Sequence, residues 1–152
     1  MSTTPTIADA ELIVKLYDLR REAEIRKARN WWLGFWPGSA DDILKIAAAL
    51  GTQDNAWMRQ VGGYWDMCAS FVLRGALNRE LFLEPGFSGE MFLFYAKVEP
   101  FIKEVREKMQ NPGIMANVEK LIMTSEGGAE RLRQTQERIA PMRKAALAAK
   151  AA

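Results

Sequence analysis

The sequence predicts an all-α fold, an irregular helical bundle of six or seven helices around two central antiparallel helices. Three observations predict it. From Asp54 to Gly75, Met58, Val61, Trp65, Cys68 and Val72 recur at spacings of three and four, the period of one helical face. From Gly89 to Gln110, the seam Met91, Tyr95, Val98, Ile102, Val105 and Met109 has gaps of four, three, four, three and four. Between and around these stretches, capping residues, prolines and glycines punctuate the chain at helical lengths.

The length of 152 residues fits a single helical domain. A chain of this size buries roughly 70% of its extended surface on folding, so no disulfide or metal staple is required. Residues 1–7 and about 141–152 read as tails. The first helix is expected from about Ala8 to Leu33, opened by Thr6 and Asp9 as an approximate capping box. Leu12, Leu16, Leu19 and Ala23 form its seam. Lys15, Arg20, Arg21, Arg26, Lys27 and Arg29 mix with Asp18, Glu22 and Glu24 on the remaining surface, the pattern of an ion-paired outer face and not of a basic binding face. The helix runs into Trp31, Trp32, Phe35 and Trp36 and stops at Pro37 and Gly38.

Ser39 caps a short apolar helix whose first turn carries Asp41 and Asp42, where the helix dipole favours negative charge. Gly51 ends it. Together with the next segment it has the outline of a helix-turn-helix. The second helix, however, presents Trp57, Met58, Val61, Tyr64 and Trp65 where a DNA-reading helix needs polar and basic side chains. Trp57, Tyr64 and Phe71 make a second apolar row on this central helix, which therefore needs neighbours on two sides. Gly62 and Gly63 lie inside it, each costing about 1 kcal/mol relative to alanine. Close approach of a neighbouring helix, or a local kink, would account for them.

Asn78 caps a short helix from Arg79 to Leu83, which Pro85 and Gly86 close. Ser88 starts the second long helix, in which Pro100 cannot donate to the Ala96 carbonyl and a bend is expected. Asn111 as cap and Pro112 at the first helical position open a helix from Gly113 to Ser125. The last segment, Ala129 to Lys150, carries Arg131, Arg133, Arg138, Arg143, Lys144 and Lys150 against Glu130 and Glu137, over a thin seam of Leu132, Ile139 and Met142. Weak docking, fraying past Pro141 and binding of an acidic partner are its three readings, and the frayed solvated end is preferred.

The chain has no histidine, which removes the usual general base near neutral pH, the Ser-His and Cys-His pairs and the commonest ligand for zinc, copper and haem. No calcium-loop, phosphate-loop or dinucleotide-binding motif is present. No catalytic residue, cofactor or metal ligand is assigned. A net charge of +2 gives no strong field toward nucleic acid. The one cysteine, Cys68, stands on the core face and reads as a small hydrophobe. No apolar run approaches the ~18 residues that span a bilayer, and the start lacks a secretory signal. A soluble cytoplasmic protein is expected.

Two groups of residues stand out as candidate sites. Trp31, Trp32, Phe35 and Trp36 cover a broad arc at a helix end beside Arg26, Lys27 and Arg29, which suits an aromatic-rich protein interface or a lipid headgroup boundary. The opposing reading folds the short helix after Ser39 back over them as core. Asp66, set among apolar neighbours, and Glu90 are the candidates for a buried charge pair with Arg74 or another arginine.

Tyr64-Trp65-Asp66, Arg74 to Asn78, Leu81-Phe82, the run Met91 to Tyr95, Asn111-Pro112 and Val118 to Leu121 resemble a family of small bacterial helical domains of unknown function. The resemblance covers Tyr64 to Leu121, implies an all-helical fold and transfers no catalytic residue. Members often carry an N-terminal membrane-spanning segment, which is missing here. Two classes of function follow. The first is a non-catalytic module that binds a protein partner, a second copy or, less readily, a membrane surface. The second is a bundle holding an apolar small molecule or lipid in a pocket lined by its five tryptophans and eight methionines.

Overall fold

The computed structural model describes residues 4–152, and residues 1–3 of the expected tail lie outside the described residues. Among the described residues there are eight helices and no strand: α1 Ile7–Leu19, α2 Ala23–Gly34, α3 Ala40–Ala48, α4 Gln53–Leu73, α5 Arg79–Phe82, α6 Pro85–Lys108, α7 Ala116–Met123 and α8 Gly128–Ala151. The fold is an all-α bundle. No helix among the described residues is long and apolar enough to cross a membrane.

The local signals read from the sequence form as chemistry requires. Thr6 and Asp9 make a full capping box at α1: the Asp9 N–H donates to Thr6 Oγ1, and the Thr6 N–H donates to Asp9 Oδ2 at 2.7 Å. Ser39 caps α3 and Asn78 caps α5. At the end of α4, Gly75 takes the left-handed conformation (φ 75°). There the Ala76 N–H reaches the Phe71 carbonyl and the Gly75 N–H reaches that of Val72, the bond pair that glycine at this position makes possible.

Three boundaries differ from the sequence expectation. The helix expected over Ala8 to Leu33 is two. It breaks at Arg20, and the Glu22 carboxylate caps α2 by accepting from the N–H groups of Glu24 and Ile25, both at 3.0 Å. The break turns Arg20 inward, and Arg29 of α2 donates back to the Arg20 carbonyl at 3.0 Å. Pro85 does not close the preceding segment. It stands at the first position of α6, where its missing N–H costs nothing.

The third boundary is at α7, which begins at Ala116 and not at Gly113. Asn111 Oδ1 accepts from the Gly113 N–H at 3.0 Å and forms a turn, and Met115 precedes the helix in the left-handed region (φ 55°) with no side-chain oxygen to cap it. Asp66 supplies the cap from α4. Its carboxylate accepts from the Asn117 N–H at 3.2 Å, the Val118 N–H at 3.4 Å and Asn117 Nδ2 at 2.8 Å.

The core is built chiefly from α4 and α6, with Trp65, Tyr95, Phe92, Met91 and Leu121 among the largest fully buried side chains. The two helices contribute to one cluster of buried side chains. The nearest backbone neighbours of α4 are α2 and α7, and those of α6 are α8 and α3. The expected frayed end past Pro141 is instead a docked stretch of α8. Pro100 leaves the Ala96 carbonyl without its helical donor, and Arg143 fills that gap, its Nη2 lying 2.8 Å from the Lys97 carbonyl and 3.5 Å from that of Ala96. Arg131 donates to the Leu83 carbonyl and Ser88 Oγ, and Lys150 to the Trp36 carbonyl. The basic residues of α8 thus compensate for its thin apolar seam.

Candidate functional site

An apolar groove with a volume of about 460 Å³ opens between α3, α4, α6 and the turn before α7. Its floor is one face of α4: Asn55, Met58, Arg59, Gly62, Gly63 and Asp66 follow at the spacings of a single helical stripe. Phe94, Val98, Ile102, Val105 and Met109 form the α6 wall, and Ile43, Ala47 and Leu50 form the α3 wall. Leu50 and Met109 at the rim are 78% and 44% exposed. The groove therefore reaches solvent with uncovered apolar side chains at its edge.

The two glycines of α4 find their place here. A Cβ on Gly62 would touch the Phe94 ring at 3.6 Å and the Met115 sulfur at 3.7 Å, whereas a Cβ on Gly63 would meet nothing within 4 Å. No neighbouring helix backbone approaches either glycine. Helix α4 runs unbroken through both. Their helix-propensity cost, about 1 kcal/mol each, is not offset by packing within the fold. Its structural effect is to leave the groove floor bare at Gly63 and covered by the Phe94 and Met115 side chains at Gly62.

The polar groups around the groove have distinct assignments. Asn55 is 1% exposed, and its Nδ2 donates to the Ile46 and Ala47 carbonyls at 3.0 and 3.1 Å, closing the C-terminal end of α3. Its Oδ1 accepts from Arg59 Nε at 3.0 Å. Asp66 is committed to the start of α7. Trp32, 2% exposed, has an indole Nε1 with no acceptor among the described residues. No group of acidic, cysteine or histidine side chains among the described residues could hold a metal ion.

The aromatic cluster expected as an interaction surface divides. Trp32 is buried against Phe94, with ring centroids 4.4 Å apart. Trp31 stacks on Phe35 at 5.1 Å and tilts against Trp57 of α4 at 6.4 Å, and Trp31, Phe35 and Trp36 remain half-buried. Helices α4, α6 and α8 contribute the groups that touch these rings: Trp57, Phe94, Lys97 and Lys150. Leu33, between them in sequence, is 47% exposed.

The charges also sort differently from the expected pair. Glu90 of α6 meets two arginines: Arg20 Nη2 lies 2.5 Å away, and Arg29 Nε and Nη2 each lie 2.8 Å away. Burial raises the Glu90 carboxyl, but Arg29 and Arg20 outweigh that and hold it below the usual carboxylate range. Arg74 is exposed at the end of α4, and Asp66 pairs with no arginine. Of the expected candidates, Glu90 pairs with arginines other than Arg74, namely Arg20 and Arg29, which the break between α1 and α2 brings over α6, whereas Asp66 and Arg74 form no such pair among the described residues.

Sequence reasoning missed Lys97. It is completely buried, and its Nζ donates to the Trp32 carbonyl at 2.6 Å, near the carboxyl end of α2 where positive charge is favoured. The same Nζ sits 4.0 Å over the Trp36 ring. No carboxylate pairs with it among the described residues. Burial, with Arg143 adding to it, pushes the amine down to about 7. The signal available was its spacing: Lys97 stands one turn from both Phe94 and Phe101 on an apolar row. Cys68 is buried and its thiol is pushed up to about 12 by that burial, which makes it unreactive.

A protein-family model covers residues 5–125, from the capping box of α1 to the end of α7, and leaves α8 outside. No curated protein matches the chain, and no solved structure matches it. With most of its length within that match, the chain belongs to the family described as Domain of unknown function (DUF4760).

Proposed function

We propose that this domain is a non-catalytic binding module of the bacterial cytoplasm that holds an elongated apolar small molecule in the groove between α3, α4 and α6. The carrying observation is the α4 stripe with Gly62 and Gly63: a Cβ at Gly63 would meet nothing within 4 Å, and one at Gly62 would meet only the Phe94 ring and the Met115 sulfur. A volume of about 460 Å³ falls in the range of small-molecule sites, roughly 300–1,000 Å³. Met58, Met109 and Met115 give the walls side chains that adapt to an irregular ligand. The bacterial setting rests on the family resemblance, and the cytoplasmic compartment on a single buried thiol.

Native mass spectrometry of the purified chain tests this reading together with a neutral probe, N-phenyl-1-naphthylamine. A co-purified small mass, and probe fluorescence that Gly63→Phe abolishes in a still-folded variant, is the expected result. Absence of probe binding by the parent chain, or binding unaffected by Gly63→Phe, would defeat it.

A second reading, a protein-interaction surface at Trp31, Phe35 and Trp36, is supported by the half-exposed Trp31–Phe35 stack beside exposed Leu33 and Lys27. Its partner would be another protein or a second copy. An anionic membrane is the weaker candidate and nucleic acid the weakest. Tryptophan emission that shifts with protein concentration supports self-association, and emission that shifts only with anionic vesicles supports a lipid surface.

A further inference from the structure

We infer that the ligand of the groove is a single-chain carboxylic acid, its chain lying along the α4 stripe and its carboxylate held by the two Nη groups of Arg59. This inference rests on the groove being a small-molecule site. The argument starts from Asn55, buried and tied by its Nδ2 to two carbonyls of α3. Its remaining oxygen takes Arg59 Nε at 3.0 Å. One side of the guanidinium is thereby fixed to the scaffold, while Nη1 and Nη2 have no acceptor among the described residues. Two parallel N–H donors on one planar group match the two oxygens of a carboxylate.

The charge pattern along the groove selects an anion at that end. Arg59 and Asp66 lie on the same stripe, about 10 Å apart along the helix. Asp66 is engaged at the start of α7, its Oδ1 accepting from the Asn117 and Val118 N–H groups and its Oδ2 from the Asn117 amide. Between the two charges the floor is Gly62 and Gly63, and the facing walls are aliphatic or aromatic. An unbranched apolar chain fits that stretch. The stripe from Asn55 to Asp66 is about 16 Å long, room for one extended chain beside one headgroup.

The test titrates decanoate and decanol into the full chain and follows displacement of N-phenyl-1-naphthylamine, in the parent and in Arg59→Gln and Arg59→Lys. Arg59 is exposed, so Arg59→Gln should fold, and circular dichroism checks that it does. The expected result is that decanoate displaces the probe at about tenfold lower concentration than decanol in the parent. Arg59→Gln should erase that preference without changing decanol, and Arg59→Lys should restore part of it. Equal binding of the two ligands by the parent, or a preference that survives Arg59→Gln, would overturn the carboxylate assignment while leaving the groove as a binding site. If neither decanol nor the probe binds the parent, the groove itself fails as a ligand site and the assignment fails with it.

Discussion

The two faces of α4 obey the same helical period and come to opposite ends. On one face Val61, Trp65 and Cys68 are at most 2% exposed, and Tyr64 donates its hydroxyl to the Leu16 carbonyl at 2.5 Å. On the other, Met58, Gly62 and Gly63 line an open groove. The first face is filled by α2 and its neighbours. The second faces α6 across the groove, with the turn before α7 along its border. Helix α4 is covered by α2 on one side and by α7 on another, while its groove stripe stays open. The ligand site proposed above lies on the open side.

The comparison breaks most decisively under a buried charge. Val61→Asp places an unpaired carboxylate in the filled face and should destabilise the domain by about 4 kcal/mol. Met58→Asp faces the groove and should cost less than about 1.5 kcal/mol, since its carboxylate reaches water. Urea midpoints measure both. Equal losses would mean that the groove face is ordinary core and that the distinction between the faces is false.

Next in size is the charge cluster that joins the filled side to α6. Glu90→Gln would leave Arg20 and Arg29, both largely buried, without their anion and should cost about 3 kcal/mol. The acid side of the stability profile carries the same information. Because the folded-state pKa of Glu90 lies below its unfolded value of 4.5, its contribution is full above that value and is lost as pH falls through the folded pKa. In Glu90→Gln that part of the acid loss should disappear. A midpoint within experimental error of the parent's would show that the three charges are too well solvated to matter.

Lys97 gives a smaller effect of opposite sign. Its folded pKa of about 7 lies below the unfolded value of 10.5, so between these limits the unfolded chain holds a proton that the folded chain has released. Stability should therefore rise with pH above 7, by at most about 1.4 kcal/mol per unit. Cys68 works against it above pH 9, because a thiol pushed from 9.0 to about 12 keeps its proton only in the folded state. The rise should be confined to pH 7–9 and be absent in Lys97→Met. A parent profile that is flat across that window would mean that the Trp32 carbonyl and the Trp36 ring hold the ammonium charged.

How much of this was legible in the sequence follows the range of the interactions. The caps Thr6, Ser39 and Asn78 each bond three residues away, and local pattern found all three. The cap of α7 was misplaced because its donor groups turn to Asp66, 51 residues away. The helix break at Arg20 was missed for the same reason: a basic, periodic stretch looks continuous until Glu90 draws two of its arginines together. Gly62 and Gly63 were recognised as unusual, but whether a helix or open space faces them depends on where α6 and α7 lie. Lys97 was passed over because a lysine on an apolar row is costly in isolation, and the α2 carbonyl that accepts from it lies 65 residues away.

The smallest effect is the sharpest test of the two faces, because it pits stability against binding at one atom. Gly63 is helical, and a Cβ there meets nothing within 4 Å. Gly63→Ala should raise stability by about 1 kcal/mol through helix propensity and the reduced entropy of the unfolded chain. Gly62→Ala adds a Cβ at ordinary contact distance from Phe94 and Met115 and should gain somewhat less. If the bare floor serves a ligand, the same two methyl groups should weaken displacement of the naphthylamine probe by decanoate, most strongly in the double variant, while the urea midpoint moves up. Stabilisation with ligand binding unchanged would mean that the glycines are not kept for the groove. Destabilisation by Gly63→Ala would mean that the space opposite α4 is already filled in solution, and the contrast between its faces would then disappear.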